Sequence, residues 1–294
     1  MPPRYDTQSS KFLKSQSETF PCIPDFVQSR LEGRTMQQLD VFRTDFFSAT
    51  EAAKLRRSGE LLHQEGLSTL EVDVNPSTYR HGEPLAVMIG PKPRSKHPAS
   101  FHYECVTCDP IDKDNTDCHW IAKEFRATIL AVQWETMAED FGIGLATLRD
   151  YLSEFTAQAA VHSMPYAVNT VRSVMFTTTA ESPRVFLCQT PLEGTTVRSA
   201  GNGLLSHGPL GPSSPQQILH ALSHWTYQHS NKEYVFLSFA AKLHTPADGS
   251  VKNPLTVFGY RQYMKDTEEF KTFLANHTCC RLCNALDLYS LRAL

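Results

Sequence analysis

The chain has 294 residues, 41% hydrophobic and 20% charged, with a net charge of −3. That is ordinary globular composition with ample material for a core, and no basic field argues for a nucleic-acid partner. There is no run of about eighteen apolar residues and no charged-then-apolar start, so neither a membrane span nor a secretion signal is expected. With a Met-Pro-Pro start, no myristoylation signal is expected. Eight cysteines are too few for a disulfide scaffold, and a reducing intracellular compartment, cytoplasmic or nuclear, is the expectation.

Residues 1–34 are polar, carry Pro2, Pro3, Pro21 and Pro24, and read as a flexible leader with one docked turn around Phe26. Residues 35–63 have a helical pattern: Leu39, Phe42, Phe46 and Phe47 recur at steps of three and four, and Leu55, Leu61 and Leu62 follow. Ser48-Ala49-Thr50-Glu51 offers a cap that splits this stretch in two. The whole is expected to pack on the main domain as a helical N-terminal extension. Residues 70–74 and 85–89 read as strands, and Pro91, Pro93 and Pro98 then break regularity. Residues 101–105 and 120–125 read as a hairpin around a charged tip at 109–115.

Residues 128–163 read as a helix interrupted at Gly142 and Gly144, with Leu145, Leu148, Leu152 and Phe155 on one face of its second half. A strand pair follows at 171–176 and 184–188, then a loop rich in Gly, Ser and Pro at 193–215. Residues 216–227 are helical, 234–239 form an apolar strand, and 272–286 form a closing helix or helix-turn. Strands, one long helix, a hinge and a mixed second half give a two-lobed α+β order.

The chemistry concentrates near the C-terminus. His277-Thr278-Cys279-Cys280-Arg281-Leu282-Cys283 places His-x-Cys-x3-Cys within seven residues. Zinc takes four such ligands in a tetrahedron, and His224, in Ser223-His224-Trp225-Thr226-Tyr227, is the natural fourth. A reduced core cluster would use the same residues, and the spacing leaves both readings open. Lys123, in Trp120-Ile121-Ala122-Lys123-Glu124-Phe125, must aim its ammonium at something polar. A lysine snorkelling from a two-faced strand is the plain reading, and Glu154 on the next helix offers an ion-pair partner. Cys105, Cys108, Cys118 and His119 offer a second metal set, against which stands the ordinary packing of cysteines on a hairpin.

The Ser-His-Trp-Thr-Tyr word, the apolar strand after it and the His-x-Cys-x3-Cys end together resemble the alpha-kinase family of atypical Ser/Thr protein kinases. The resemblance covers about residues 80–290. It places an alpha-kinase-like domain at 80–290, behind the leader read at 1–34 and the helical extension read at 35–79. The implied fold is a two-lobed α+β kinase with structural zinc on His224, His277, Cys279 and Cys283. ATP and Mg²⁺ are the implied cofactors, and a protein substrate or protein partner is implied, with no nucleic acid and no membrane.

Residue by residue, 120–125 resembles the family's VAKxF strand, whose lysine holds nucleotide phosphates, and this gives that role to Lys123. Residues 186–194 resemble the hinge between lobes, with the hinge glutamate falling on Gln189. Gly194, Arg198, Asn202 and Gly203 survive from the Asn-rich stretch that follows, although glycines in a surface loop also serve turns alone. Residues 234–241 take the place of the DLQG strand, whose aspartate falls on Ser238, glutamine on Ala240 and glycine on Ala241. A hydroxyl and a methyl cannot replace a carboxylate on Mg²⁺, and phosphoryl transfer depends on positioning and charge neutralisation. Residues 246–251 resemble the TDPxxI segment, which makes Asp248 the second catalytic aspartate, with an Asp-Gly turn as the alternative. Asp266 is a fallback carboxylate. Phe258-Gly259 resembles the start of the family's glycine loop, and His102 stands near the place of an expected arginine.

Two functions follow. One is a divergent kinase that transfers the ATP γ-phosphate to Ser/Thr. The other is a catalytically inactive pseudokinase serving as a binding or scaffold module. A zinc-dependent binding module without kinase ancestry is a third class, and it would show no cleft at Lys123 and no hinge at Gln189.

Overall fold

The computed structural model describes residues 36–48, 50–51, 53, 79–93, 95–96, 100–107, 119–125, 131–162, 166–199, 214–244, 253–289 and 291. The leader at 1–34 and the strand expected at 70–74 lie outside them. In chain order the elements are β1 (Gln37–Phe46), β2 (Tyr79–Ile89), β3 (Ser95–Lys96), β4 (Ser100–Thr107) and β5 (His119–Phe125), then α1 (Ala131–Val161). There follow β6 (Tyr166–Thr170), β7 (Ser173–Thr178), β8 (Val185–Gln189), β9 (Thr195–Arg198) and α2 (Pro215–His229). The chain ends in β10 (Tyr234–Leu243), β11 (Asn253–Met264), α3 (Glu268–Asn276) and α4 (Arg281–Ala285).

The first sheet runs β2-β1-β7-β8-β5-β4-β3, and β2 also pairs with β4. That extra pairing closes β2, β1, β7, β8, β5 and β4 into an antiparallel barrel, which leaves those strands without a bare edge. Period-two alternation fills it. Val41, Val87, Ile89, Cys105, Trp120, Ala122, Val174, Phe176, Phe186 and Cys188 form one buried cluster inside. Met175, Val185 and Leu187 of the opposite face pack with Phe46, Ala138 and Ala146, so this outer face is covered by α1.

The second half of α1 belongs to the other lobe. Leu148, Leu152, Phe155 and Ala159 join Leu219, Leu222, Trp225, Phe236, Phe239, Leu255 and Val257 in the largest core. A second sheet, β6-β11-β10-β9, lines that core. It is antiparallel except for the parallel β6–β11 pair. One helix of 31 residues, about 46 Å long, therefore packs on both lobes and ties them together.

Three sequence expectations are corrected. The stretch expected to open a helical extension is strand β1, paired with β2 and β7. Leu39, Phe42 and Phe46 mimic helical steps because the strand carries apolar residues on both faces. Leu39 and Val41 join the barrel interior, while Phe46 joins the outer cluster. The cap at Ser48 does form: Ser48 N donates to Glu51 Oε2 at 2.9 Å and Glu51 N to Ser48 Oγ at 3.2 Å, a reciprocal capping box. Helical backbone begins at Thr50.

The interruption at Gly142 and Gly144 does not occur, and α1 is continuous. Each glycine instead seats an aromatic ring: a Cβ at Gly142 would collide with the Phe46 ring, and one at Gly144 with Tyr260 Oη. Finally, Phe258-Gly259 begins no loop. It lies within β11, where Leu255 and Val257 are both buried in strand alternation.

Candidate functional site

The C-terminal cluster is assembled by three helices. Ser214 caps α2 by accepting from Gln217 N, Pro215 starts it, and its buried face carries His220 and His224 one turn apart. His277 stands at the C-terminal end of α3 in extended conformation, Cys279 lies in the turn after it, and Cys283 in α4. Of the closing helix or helix-turn expected at 272–286, the structure has the second: two helices joined by the turn that carries the donors.

Donor atoms of His224, His277, Cys279 and Cys283 all lie within 4.8 Å of one another. His224 Nδ1 is 3.7 Å from Cys279 Sγ, and His277 Nε2 is 3.9 Å from Cys283 Sγ. A tetrahedral zinc with bonds of about 2.3 Å to sulfur and 2.05 Å to nitrogen has S···N edges of about 3.5 Å. The donor set fits that ion. Burial holds His224 down to about 4 and His277 to about 2, so both imidazoles are neutral, which is the ligating form.

His220, which the sequence reading passed over, supports this turn. Its ring stacks on His277 with centroids 4.3 Å apart and planes 8° off parallel, and its Nε2 lies 2.9 Å from the Thr278 carbonyl. The signal was its position one helical turn before His224. The second proposed metal set does not assemble among the described residues. Cys105 faces the barrel core, His119 Nε2 lies 3.0 Å from Glu104 Oε1, and Cys108 and Cys118 lie outside the described residues.

Lys123 sits on the outer face of β5, since Ala122 points into the barrel. His102 is its cross-strand neighbour. Lys123 Nζ donates to Gln189 Oε1, and Gln189 Nε2 donates to the Phe258 carbonyl at 3.2 Å. One side-chain path thus ties the barrel, the end of β8 and β11 together. Among the described residues Lys123 meets an amide and no carboxylate, and burial pushes its ammonium down to about 8. The expected partner Glu154 instead lies 3.8 Å from His229.

After β8 the chain turns at Gly194, whose φ is +102° and where a Cβ would strike the Leu243 carbonyl, so only glycine fits there. Lys242 Nζ donates to the Gly194 carbonyl at 3.0 Å. In β10, Ser238 and Phe239 oppose the single residue Tyr260, a β-bulge. Ser238 there adopts φ 53°. Ser199 clamps the bulge: Phe239 N donates to Ser199 Oγ at 2.8 Å, and Ser199 N donates to the Phe239 carbonyl at 2.9 Å. Tyr260 closes the same region, donating to the Phe141 carbonyl at 2.9 Å and stacking on the Phe141 ring. Asp248, Asn202 and Gly203 lie outside the described residues. Asp266 is exposed in the turn after β11, about 20 Å along the strand from Phe258. A shallow pocket of about 300 Å³, lined by Phe46, Glu51, Arg149, Arg172 and Ser173 among others, includes neither Lys123 nor Gln189.

The model of the alpha-kinase family matches residues 99–283. Among solved structures, the alpha-kinase domain of myosin heavy chain kinase A in complex with ADP superposes with a TM-score of 0.56 at 14% identity, covering 87% of this chain and 98% of that one. The same domain in complex with AMP-PNP gives 0.56 at 14%, covering 88% and 97%. An alpha kinase from Entamoeba histolytica gives 0.56 at 13%, covering 87% and 94%. At such identities the likeness is one of fold. No curated protein sequence matches the chain.

Proposed function

The chain belongs to the alpha-kinase family, and from that premise we propose that it is a divergent alpha-type protein kinase domain that holds ATP between its lobes and acts on Ser/Thr of proteins. The observation that carries this reading is the Lys123–Gln189–Phe258 path, a cationic amine held at the junction of barrel, hinge and second sheet. Lys123 takes the nucleotide phosphates, and the backbone after Gln189 takes the adenine, with Gly194 shaping the turn beside it and Asn202 assigned to the nucleotide by the resemblance. A backbone hinge does not depend on side-chain identity, so the amide at Gln189 does not forbid the base. ATP with Mg²⁺ supplies the phosphoryl group and the neutralising charge. Asp248 is the carboxylate assigned to the reacting centre. The four C-terminal donors are read as a closed structural zinc set, which leaves no position for substrate.

One observation favours a second reading, an inactive pseudokinase serving as a binding module. Ser238 stands where the resemblance puts a metal-binding aspartate, and Ala240 where it puts a glutamine. A hydroxyl and a methyl there leave Mg²⁺ short of a charged ligand. The deciding experiment is phosphate transfer from labelled ATP, with Mg²⁺ or Mn²⁺, onto the chain and a generic basic protein, with Lys123→Ala as control. Label lost in the control supports the kinase; label no higher than the control supports the pseudokinase. Ser238→Asp with Ala240→Gln then asks whether the missing charge is the cause. Aspartate tolerates the left-handed backbone of this bulge, so the variant is expected to gain Mg²⁺-dependent nucleotide affinity, and no gain would place the defect elsewhere.

A further inference from the structure

Cys280 is the thiol of the C-terminal cluster that the tetrahedral set does not use. It occupies the N-cap of α4, and its side chain caps nothing. Its Sγ lies 3.5 Å from Cys283 Sγ and 3.8 Å from the Gln217 carbonyl. Asn284 N donates to the Cys280 carbonyl at 3.2 Å, so the segment between the two cysteines is already wound into a turn. Residues three apart on such a turn are neighbours and meet the Cα limit for a disulfide. Cys279 is no rival partner for Cys280, because consecutive Cα atoms, about 3.8 Å apart, fall short of the usual disulfide range of about 4.4–6.8 Å.

We propose that Cys280 and Cys283 form a redox dithiol that closes to a disulfide, and that closure takes Cys283 out of the metal-binding set. The chemistry rests on the thiol pair alone; the consequence rests on reading the four donors as a metal centre. Both residues are buried, Cys280 at 6% exposure and Cys283 at 0%, so the oxidant must be small, and Cys280 is the more reachable thiol of the pair. With hydrogen peroxide, the Cys280 sulfur attacks one oxygen, the O–O bond breaks, and a sulfenic acid and one water result. The Cys283 sulfur then attacks Cys280 Sγ, the S–O bond breaks, the S–S bond forms, and a second water leaves. Two thiols lose two electrons and one peroxide becomes two waters. His224, His277 and Cys279 remain, one ligand short of a closed structural site.

The test uses the full chain as purified, treated with peroxide and digested with trypsin. Cleavage after Arg281 leaves Cys279 and Cys280 on fragment 272–281 and Cys283 on 282–292, so the disulfide appears as a linked pair by mass spectrometry, and fragmentation of that pair between residues 279 and 280 assigns the bond to Cys280. A chromogenic chelator follows released zinc in parallel. The expected result is a linked 280–283 pair forming as zinc appears, and zinc release slowed at least about tenfold in Cys280→Ser. Serine is a favourable N-cap, so this variant is expected to fold, and Cys280→Ala separates the cap from the thiol. A linked pair in protein that holds no zinc supports the dithiol and overturns only the metal reading. Peroxide-treated chain without the linked pair, or zinc lost from Cys280→Ser as fast as from the unaltered chain, overturns the proposal.

Discussion

The His/Cys cluster and the candidate nucleotide cleft around Lys123 are built from different materials. The cluster is made of side chains: two imidazoles held neutral by burial and two thiols, with His220 stacked behind them. Remove one donor and the set no longer offers the four ligands that a structural zinc takes. The cleft is made largely of backbone: the end of β8, the turn at Gly194, the bulge in β10 and the Phe258 carbonyl. Among the described residues its half-buried cation, Lys123, faces the neutral Gln189. A cleft of this kind can keep its shape while its charges differ, whereas a tetrahedral centre cannot. The two regions therefore report separately on fold and on chemistry.

The largest effect is expected at the cluster. Structural zinc contributes on the order of 10 kcal/mol of apparent free energy in small metallo-domains. Chelation, or Cys283→Ser, should abolish cooperative melting of the C-terminal lobe, whose α2 and α4 share a core with the donors. Thermal melts with and without chelator measure this, and an unchanged transition would break the contrast at its stronger end.

Lys123→Ala should act in the opposite sense on the two properties. A charge-assisted bond to phosphate contributes about 1.5–3 kcal/mol, so nucleotide affinity should fall roughly ten- to hundredfold in a titration with a fluorescent nucleotide. Stability should hold or rise, because the variant removes a buried ammonium that lacks a charge partner. The pH dependence follows from the same group. Its folded-state value of about 8 lies below the usual lysine range near 10.4, so between these values the unfolded chain binds more protons than the folded one. Stability contributed at this site should therefore rise with pH from about 8 to about 10.4, while nucleotide affinity falls as the amine loses its charge. Denaturant melts and nucleotide titrations across that window check both slopes, and Lys123→Ala should flatten them.

How much of this was legible in the sequence follows from the same contrast. His277, Cys279 and Cys283 crowd into seven residues and announce themselves, and Lys123 stands out because a charge interrupts an apolar strand. Strand β1 was hidden, because a strand with apolar residues on both faces spaces Leu39, Phe42 and Phe46 as a helix would. The continuity of α1 was hidden too. Gly142 and Gly144 look like breaks until the rings of Phe46 and Tyr260 are seen lying over them. Strand β11 was legible in the alternation of Leu255 and Val257, and reading Phe258-Gly259 as a loop word obscured it. The support from His220 needed only helical spacing. The clamp by Ser199, about forty residues from the bulge that it holds, has no local signature in either segment.

The smallest effect is expected at Ser238, and it bears most directly on how the cleft keeps its shape. A non-glycine residue in the left-handed region costs about 1–2 kcal/mol. Glycine would relieve this but adds backbone entropy to the unfolded chain, so Ser238→Gly should stabilise by roughly 0.5 kcal/mol. The bulge is held by Ser199 bonding the amide and carbonyl of Phe239, and neither bond uses the Ser238 side chain. Nucleotide affinity should then be the same in Ser238→Gly as in the unaltered chain. If affinity drops instead, the serine hydroxyl itself reaches the nucleotide or its metal. If melting temperature drops, the left-handed geometry depends on the side chain, and the backbone account of the cleft fails at this strand.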